Sequence, residues 1–234
     1  MRTLPQRTTR LTDARVDRGT HVDGRPRRSS TATRIARLIG AIIAGGASTR
    51  FGGDPKGLAL VGGRRIVDRV AHALSGLGGD TSEMLLVSNA PEASTWLPSA
   101  RVVTDVRAER GSLVGLHSAL VHARDTVLVV AWDMPFVTRE LVSLIAFRAA
   151  RSEYATVPMS ESGAEPLCAA YTQACLPAIE AGLDEKDFRL SSLLARLPSV
   201  DYLSADELRT AGDSQRLFFN VNGSADLQAA NLLD

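Results

Sequence analysis

From Leu38 onward, apolar runs of about four to seven residues alternate with amphipathic segments of about ten to fifteen. That alternation constrains the fold more than any other feature. Parallel strands need crossovers long enough to hold a helix, so the pattern implies βα units around a mostly parallel sheet. Strands are expected at residues 39–44, 84–87, 101–104, 127–132, 155–158 and 167–171. Helices are expected at 65–75, 112–124, 139–151, 174–181, 190–196, 205–210 and 225–232. Several of the strands are apolar on both faces, as central strands covered by two helical layers must be. No repeat or linker interrupts the pattern, so residues 39–234 are expected to form one α/β domain.

The segment before this pattern has a different texture. Residues 1–38 hold ten arginines against three aspartates and almost no large apolar side chain. Nothing there offsets the entropy of ordering, so the segment reads as a disordered Arg/Thr-rich extension. It lacks the apolar stretch of a secretory signal. Its three aspartates weigh against an organelle transit peptide, and a basic tail touching nucleic acid is a weaker reading than a dispensable extension. Apart from it, the chain keeps 17 of its 27 basic and 23 of its 26 acidic residues, a net of −6. That balance argues against a nucleic-acid surface. No apolar run approaches the ~20 residues of a membrane helix. Cys168 and Cys175 are too few for a disulfide scaffold and fit a reducing compartment.

The first strand runs into a glycine-rich loop, Ala44-Gly45-Gly46 through Arg50, Gly52, Gly53, Asp54 and Pro55 to Lys56-Gly57. Glycines let backbone N–H groups approach phosphate oxygens at the carboxyl end of a strand, where α/β sheets bind ligands. The spacing is not that of a Walker A loop, because Lys56 follows proline and precedes glycine. Nor is it the Gly-x-Gly-x-x-Gly dinucleotide fingerprint. What remains is a pair of cations, Arg50 and Lys56, suited to a triphosphate. Of the 27 basic residues only Lys56 and Lys186 are lysine, so a lysine in this loop is unlike the rest of the chain. An ordinary charged surface loop is the alternative.

The run 127–132 ends abruptly in Asp133-Met134-Pro135. A carboxylate there can share Mg²⁺ with substrate phosphates, since Mg²⁺ takes one or two carboxylates and keeps phosphate and water oxygens. As an N-cap for a helix starting near Thr138, Asp133 would come too early. Asp105 closes a shorter strand, and Gly111 to Gly115 open the helix after it, a place that favours a polar or anionic ligand. Asp105 as a turn residue is the other reading, and Ser88-Asn89 at the preceding strand end is similarly open. Asn220-Val221-Asn222 reads as a short strand with two amides on one face, with Ser224 capping the last helix. Those amides meet either substrate or backbone. His72, His117 and His122 lie on expected helices without ligand spacing, and both cysteines read as small core residues.

Taken in order, Ala44-Gly45-Gly46, Arg50, Lys56, Asp133-Met134-Pro135, the segment from Pro166 to Tyr171, and Asn220-Val221-Asn222 resemble the molybdenum cofactor guanylyltransferases. The likeness spans residues 39–232. It implies a Rossmann-like three-layer sandwich with a mostly parallel sheet, cytoplasmic location, and Mg²⁺-dependent use of GTP. It places Ile43, Ala44, Gly45 and Gly46 at the nucleotide and Lys56 on the phosphates. Ser88, Asn89 and Asp105 fall at further nucleotide contacts, and Asp133 at both nucleotide and Mg²⁺. Gly111, Gly115, Asn220 and Asn222 fall on the side of the acceptor, molybdopterin. Pro55 stands where the family commonly has Asp, a Pro-Lys pair like that of the sister cytidylyltransferases, and Ser88 stands where it often has Asn.

The reaction so implied needs no protein nucleophile. A terminal phosphate of molybdopterin attacks the α-phosphorus of GTP, the guanine dinucleotide cofactor forms, and pyrophosphate leaves. Arg50, Lys56 and Asp133 would carry the electrostatic part of that chemistry. Proteins that insert the cofactor, or apo-molybdoenzymes, are the partners this implies. A cytidylyl or sugar-phosphate nucleotidyltransferase is the rival of the same class, and a non-catalytic nucleotide-binding module the rival of another.

Overall fold

The computed structural model describes residues 37–45, 55–77 and 83–234. Residues 1–36 of the extension read at 1–38, together with Gly46, Arg50 and the rest of the loop 46–54, lie outside them. The strands are β1 (Leu38–Ile43), β2 (Leu60–Val61), β3 (Arg64–Arg65), β4 (Leu85–Val87), β5 (Arg101–Val103), β6 (Thr126–Ala131), β7 (Ala155–Ser160), β8 (Gly163–Ala164), β9 (Cys168–Tyr171) and β10 (Val200–Leu203). The helices are α1 (Ile66–Leu74), α2 (Ala93–Trp96), α3 (Ser112–Ala123), α4 (Arg139–Ala149), α5 (Leu176–Asp184) and α6 (Leu190–Arg196). After them come α7 (Ala205–Leu208), α8 (Ser214–Leu217) and α9 (Ser224–Leu233).

Among the described residues one sheet runs β10-β7-β9-β6-β1-β4-β5, with β8 on β7, while β2 and β3 form a separate hairpin. β1 pairs in parallel with both β4 and β6, β4 with β5, and β7 with β10; β9 runs antiparallel between β6 and β7. The expected mostly parallel sheet is therefore present. β6 is buried at every position, which is why its sequence after Thr126 is an unbroken apolar run.

Side chains alternating along the central strands feed two cores. Ile42, Leu86, Leu128 and Val130 pack on one face with α1 and α4. Ala41, Leu85, Val127 and Val129 pack on the other with α3, α5 and α6. The result is three layers, α/β/α. Both cysteines are free and buried. Burial pushes the Cys175 thiol up to about 12 and the Cys168 thiol higher still, so they are inert packing groups.

Three expectations need correction. The first strand begins at Leu38, inside the segment assigned to the extension. The segment 218–222 is not a strand: Val221 donates one backbone bond to Asp133 O at 2.9 Å, and no ladder forms. Ser224 is the first residue of α9 rather than its cap, a place taken by Gly223. The hairpin β2–β3, the strands β8 and β10, and the short helices α2 and α8 were not expected.

Candidate functional site

Backbone bonds lace the carboxyl ends of the central strands together. Ala44 N donates to Val87 O at 2.9 Å, and Trp132 N to Ile43 O at 3.3 Å. Ile43 and Ala44 are buried, and Gly45 is exposed at the point where the chain leaves β1. Two polar clusters gather around this edge.

The first joins three distant parts of the chain. Lys56, opening a 3₁₀ turn (Lys56–Leu58), donates from Nζ to Asp133 Oδ2 at 2.8 Å and to Asn222 Oδ1 at 3.2 Å. Both charged side chains are 13% exposed. Asp133 stands there because β6 ends at Ala131 and the buried Met134, Pro135 and Phe136 anchor the following turn. Asn222 is held by Asp226, whose carboxylate accepts its backbone N–H at 2.8 Å, and by the Val221–Asp133 bond just described. The close approach of Lys56 depends on Gly57. A Cβ at Gly57 would lie 2.4 Å from Cε3 of Trp132, so only glycine lets the turn sit on that ring. Trp132 in turn stacks on Trp96, centroids 5.1 Å apart. Neither Gly57 nor Trp132 was expected at the site, although a glycine directly after the loop lysine was visible.

The second cluster is local. Asn89 donates from Nδ2 to Asp105 Oδ2 at 2.7 Å and accepts Asp105 N–H on Oδ1 at 2.8 Å. The Ser118 hydroxyl lies 3.2 Å from Asp105 Oδ1, accepts from Val106 N at 3.0 Å and reaches Val114 O at 2.8 Å. Ser88 is buried beneath them, its hydroxyl taking Ala90 N–H at 3.2 Å. Gly111 caps α3 at φ +152, where a Cβ would press within 3.0 Å of Phe188 Cβ. At Gly115 a Cβ would meet Ile43 Cγ2 at 2.9 Å, so α3 lies directly against the end of β1.

The structure thus unites Lys56, Asp133 and Asn222, and separately Asn89 and Asp105. Asn220 is exposed like Asn222, but its amide donates to Phe218 O at 2.9 Å, a bond to its own backbone. For a divalent cation the first cluster offers one carboxylate and one amide oxygen. Asp133 Oδ1 has no partner among the described residues, where no group of three His, Cys, Asp or Glu gathers. A hard cation completed by phosphate oxygens fits that donor set.

A three-layer α/β sandwich with a mostly parallel sheet and polar groups gathered at the carboxyl ends of its central strands is a Rossmann-type fold, of the nucleotidyltransferase-like kind that its structural neighbours share. Residues 40–200 match the family described as the MobA-like NTP transferase domain. The molybdenum cofactor guanylyltransferase of Desulfosudis oleivorans is 33% identical over 195 residues, 82% of this chain and 94% of that one. The crystal structure of molybdopterin-guanine dinucleotide biosynthesis protein A from Archaeoglobus fulgidus matches with a TM-score of 0.68 at 26% identity, covering 83% of this chain and 97% of that one. The fold alone is shared with the 4-diphosphocytidyl-2C-methyl-D-erythritol synthase of Anaerococcus prevotii, 14% identical over 85% of this chain and 96% of that one, with a TM-score of 0.59. The chain belongs to the MobA-like NTP transferase family.

Proposed function

We infer that the protein is a molybdenum cofactor guanylyltransferase: it transfers GMP from GTP to the terminal phosphate of molybdopterin and releases pyrophosphate. The observation that carries this is the Lys56–Asp133–Asn222 cluster at the ends of β1 and β6 in a chain whose curated relatives bear that name. A phosphate oxygen of the acceptor bonds to the α-phosphorus of GTP while the bond to the β-phosphate oxygen breaks.

Ile43, Ala44 and Gly45 form the edge against which the guanine rests, with Gly46 beyond the described residues. Asn89 and Asp105 offer the nucleotide a carbonyl and a carboxylate, and the buried Ser88 supports them from below. Lys56 neutralises phosphate charge, a role shared with Arg50. Asp133 holds Mg²⁺, which when bound draws charge from the reacting phosphates. Gly111, Gly115, Asn220 and Asn222 border the acceptor. Lys56 already rests on Asp133 and Asn222, so binding of a triphosphate exchanges a carboxylate partner for phosphate at the same ammonium.

Cytoplasmic operation belongs to the same reading and is supported by two buried free thiols. Among the described residues no helix is long and apolar enough to cross a membrane. Cofactor-inserting proteins or apo-molybdoenzymes would receive the product. Thermal denaturation with GTP, CTP, ATP and UTP, each with Mg²⁺, tests the nucleotide. GTP should raise Tm most, since a ligand of the native state stabilises by RT ln(1 + [L]/Kd). A larger rise with CTP, the alternative favoured by Pro55, would move the assignment to cytidylyl transfer.

A further inference from the structure

Eight of the described arginines are ion-paired with carboxylates: Arg37, Arg65, Arg69, Arg107, Arg148, Arg189, Arg196 and Arg209. Three of those that are not, Arg64, Arg139 and Arg216, line a single cavity of about 600 Å³. Pro135, Phe136 and Val137, from the segment just after Asp133, also line it. Two of the three guanidiniums are held in place by neutral groups. Arg139 donates to His72 O at 3.3 Å and to Ser75 Oγ at 2.7 Å. Arg216 stands 4.8 Å over the Phe136 ring. These contacts orient the charges without neutralising them.

Glu140 and Asp213 set two carboxylates against these three arginines, so the lining keeps a net positive charge; Asp213 Oδ1 also accepts the Gln215 N–H at 2.9 Å as the cap of α8. Arg69, also in the wall, spends its guanidinium on Val61 O at 2.7 Å and on Asp234. The cavity therefore presents forked N–H donors with unspent charge, the geometry that matches phosphate oxygens two at a time. Its volume is that of a small-molecule site.

We propose that this cavity is a second ligand site, distinct from the Lys56–Asp133 cluster, that binds a phosphate-bearing small anion through Arg64, Arg139 and Arg216. The ligand is either a free polyphosphate ion or the phosphate group of an organic phosphate. Titration calorimetry on the full chain with inorganic pyrophosphate, and separately with GMP, distinguishes the two sources. Three proteins are compared: wild type, Lys56→Ala, and Arg139→Gln/Arg216→Gln. Both arginines are exposed, and circular dichroism melts verify folding. Should the double variant not fold, Arg64→Gln takes its place.

Pyrophosphate should still bind Lys56→Ala, and should bind the arginine variant at least about tenfold more weakly, the loss expected of roughly one charge-assisted contact. Parallel weakening of GMP would assign the site to organic phosphates, and weakening of pyrophosphate alone to the free ion. Absence of pyrophosphate binding to the wild type, or equal binding by the arginine variant, overturns the proposal.

Discussion

The two polar clusters at the carboxyl edge of the sheet are built on opposite principles. Lys56 and Asp133 are 77 positions apart, oppositely charged and largely withdrawn from water. Asn89 and Asp105 are 16 positions apart, and the clasp joins a neutral amide to a carboxylate and its own backbone N–H. A sheltered ion pair returns little net stability, because the loss of hydration offsets the attraction. Its persistence here is better explained by the charges being needed separately, one for phosphate and one for a cation. The Asn89–Asp105 clasp rigidifies a carboxylate without neutralising it, which suits a fixed acceptor for a neutral N–H or O–H of the nucleotide. In the proposed reaction one cluster would exchange partners, and the other would be preorganised for binding.

The largest effects should come from the ion pair. Asp133→Asn preserves shape but removes the anionic ligand, so turnover measured by pyrophosphate release should fall by roughly 10²–10³. Metal-free GTP binding should survive. Normal turnover would return Asp133 to the role of a turn former. Lys56→Ala should weaken GTP binding as well as turnover, because an ammonium touches phosphate in ground and transition states alike. Lys56→Arg should restore only part of it, since the planar guanidinium is wider than the ammonium that fits beside Gly57. If Lys56→Ala left nucleotide affinity unchanged, the exchange of partners would be wrong.

A middle-sized effect tests the platform beneath the ion pair. Gly57→Ala puts a methyl into the Trp132 ring, an overpacking that should cost about 1–3 kcal/mol in urea unfolding. Both tryptophans of the chain lie in that stack, so their emission should change with it. By contrast Asp105→Asn, nearly isosteric and away from the reacting phosphates, should weaken GTP binding by no more than about tenfold and leave saturated turnover intact. A collapse of turnover there would erase the distinction between the clusters.

Much of this arrangement was legible in the sequence, for identifiable reasons. β6 is buried at every position, and from Val127 to Ala131 it meets that burial with an apolar run. Thr138 was correctly placed at the start of α4, where its hydroxyl accepts Leu141 N–H at 3.2 Å. The hairpin of β2 and β3 escaped notice although Gly62-Gly63, at φ +55 and +73, is a recognised hairpin turn, because the two-residue strands carry no periodicity. β10 escaped because it is an edge strand with Tyr202 outward. Residues 218–222 misled through the exposed–buried–exposed alternation of Asn220, Val221 and Asn222, which a tethered loop produces as well as a strand. At the site, sequence supplied the residue types. The contact of Lys56 with Asp133 is long-range, and no local pattern encodes it.

The smallest effect separates the clusters by pH. His117, next to Ser118 on α3, is buried, and burial holds its pKa below the usual histidine value, helped by the nearby charge of Arg107. Glu180, whose carboxylate lies 3.7 Å from Nε2, opposes that shift but does not cancel it. The folded state thus favours neutral imidazole. Between the depressed folded pKa and the unfolded value of about 6.5, the unfolded chain binds more protons, so stability rises with pH across that window. It is present in full above the window and is lost as pH falls through it. His117→Gln should flatten this part of the stability curve, measured by urea unfolding at a series of pH values. Because Ser118 supports Asp105 from the same helix, mild acid should weaken GTP affinity through this cluster. The weakening should shrink in His117→Gln and persist unchanged in Asp133→Asn. An acid loss of affinity equal in wild type and His117→Gln would sever α3 from the nucleotide site.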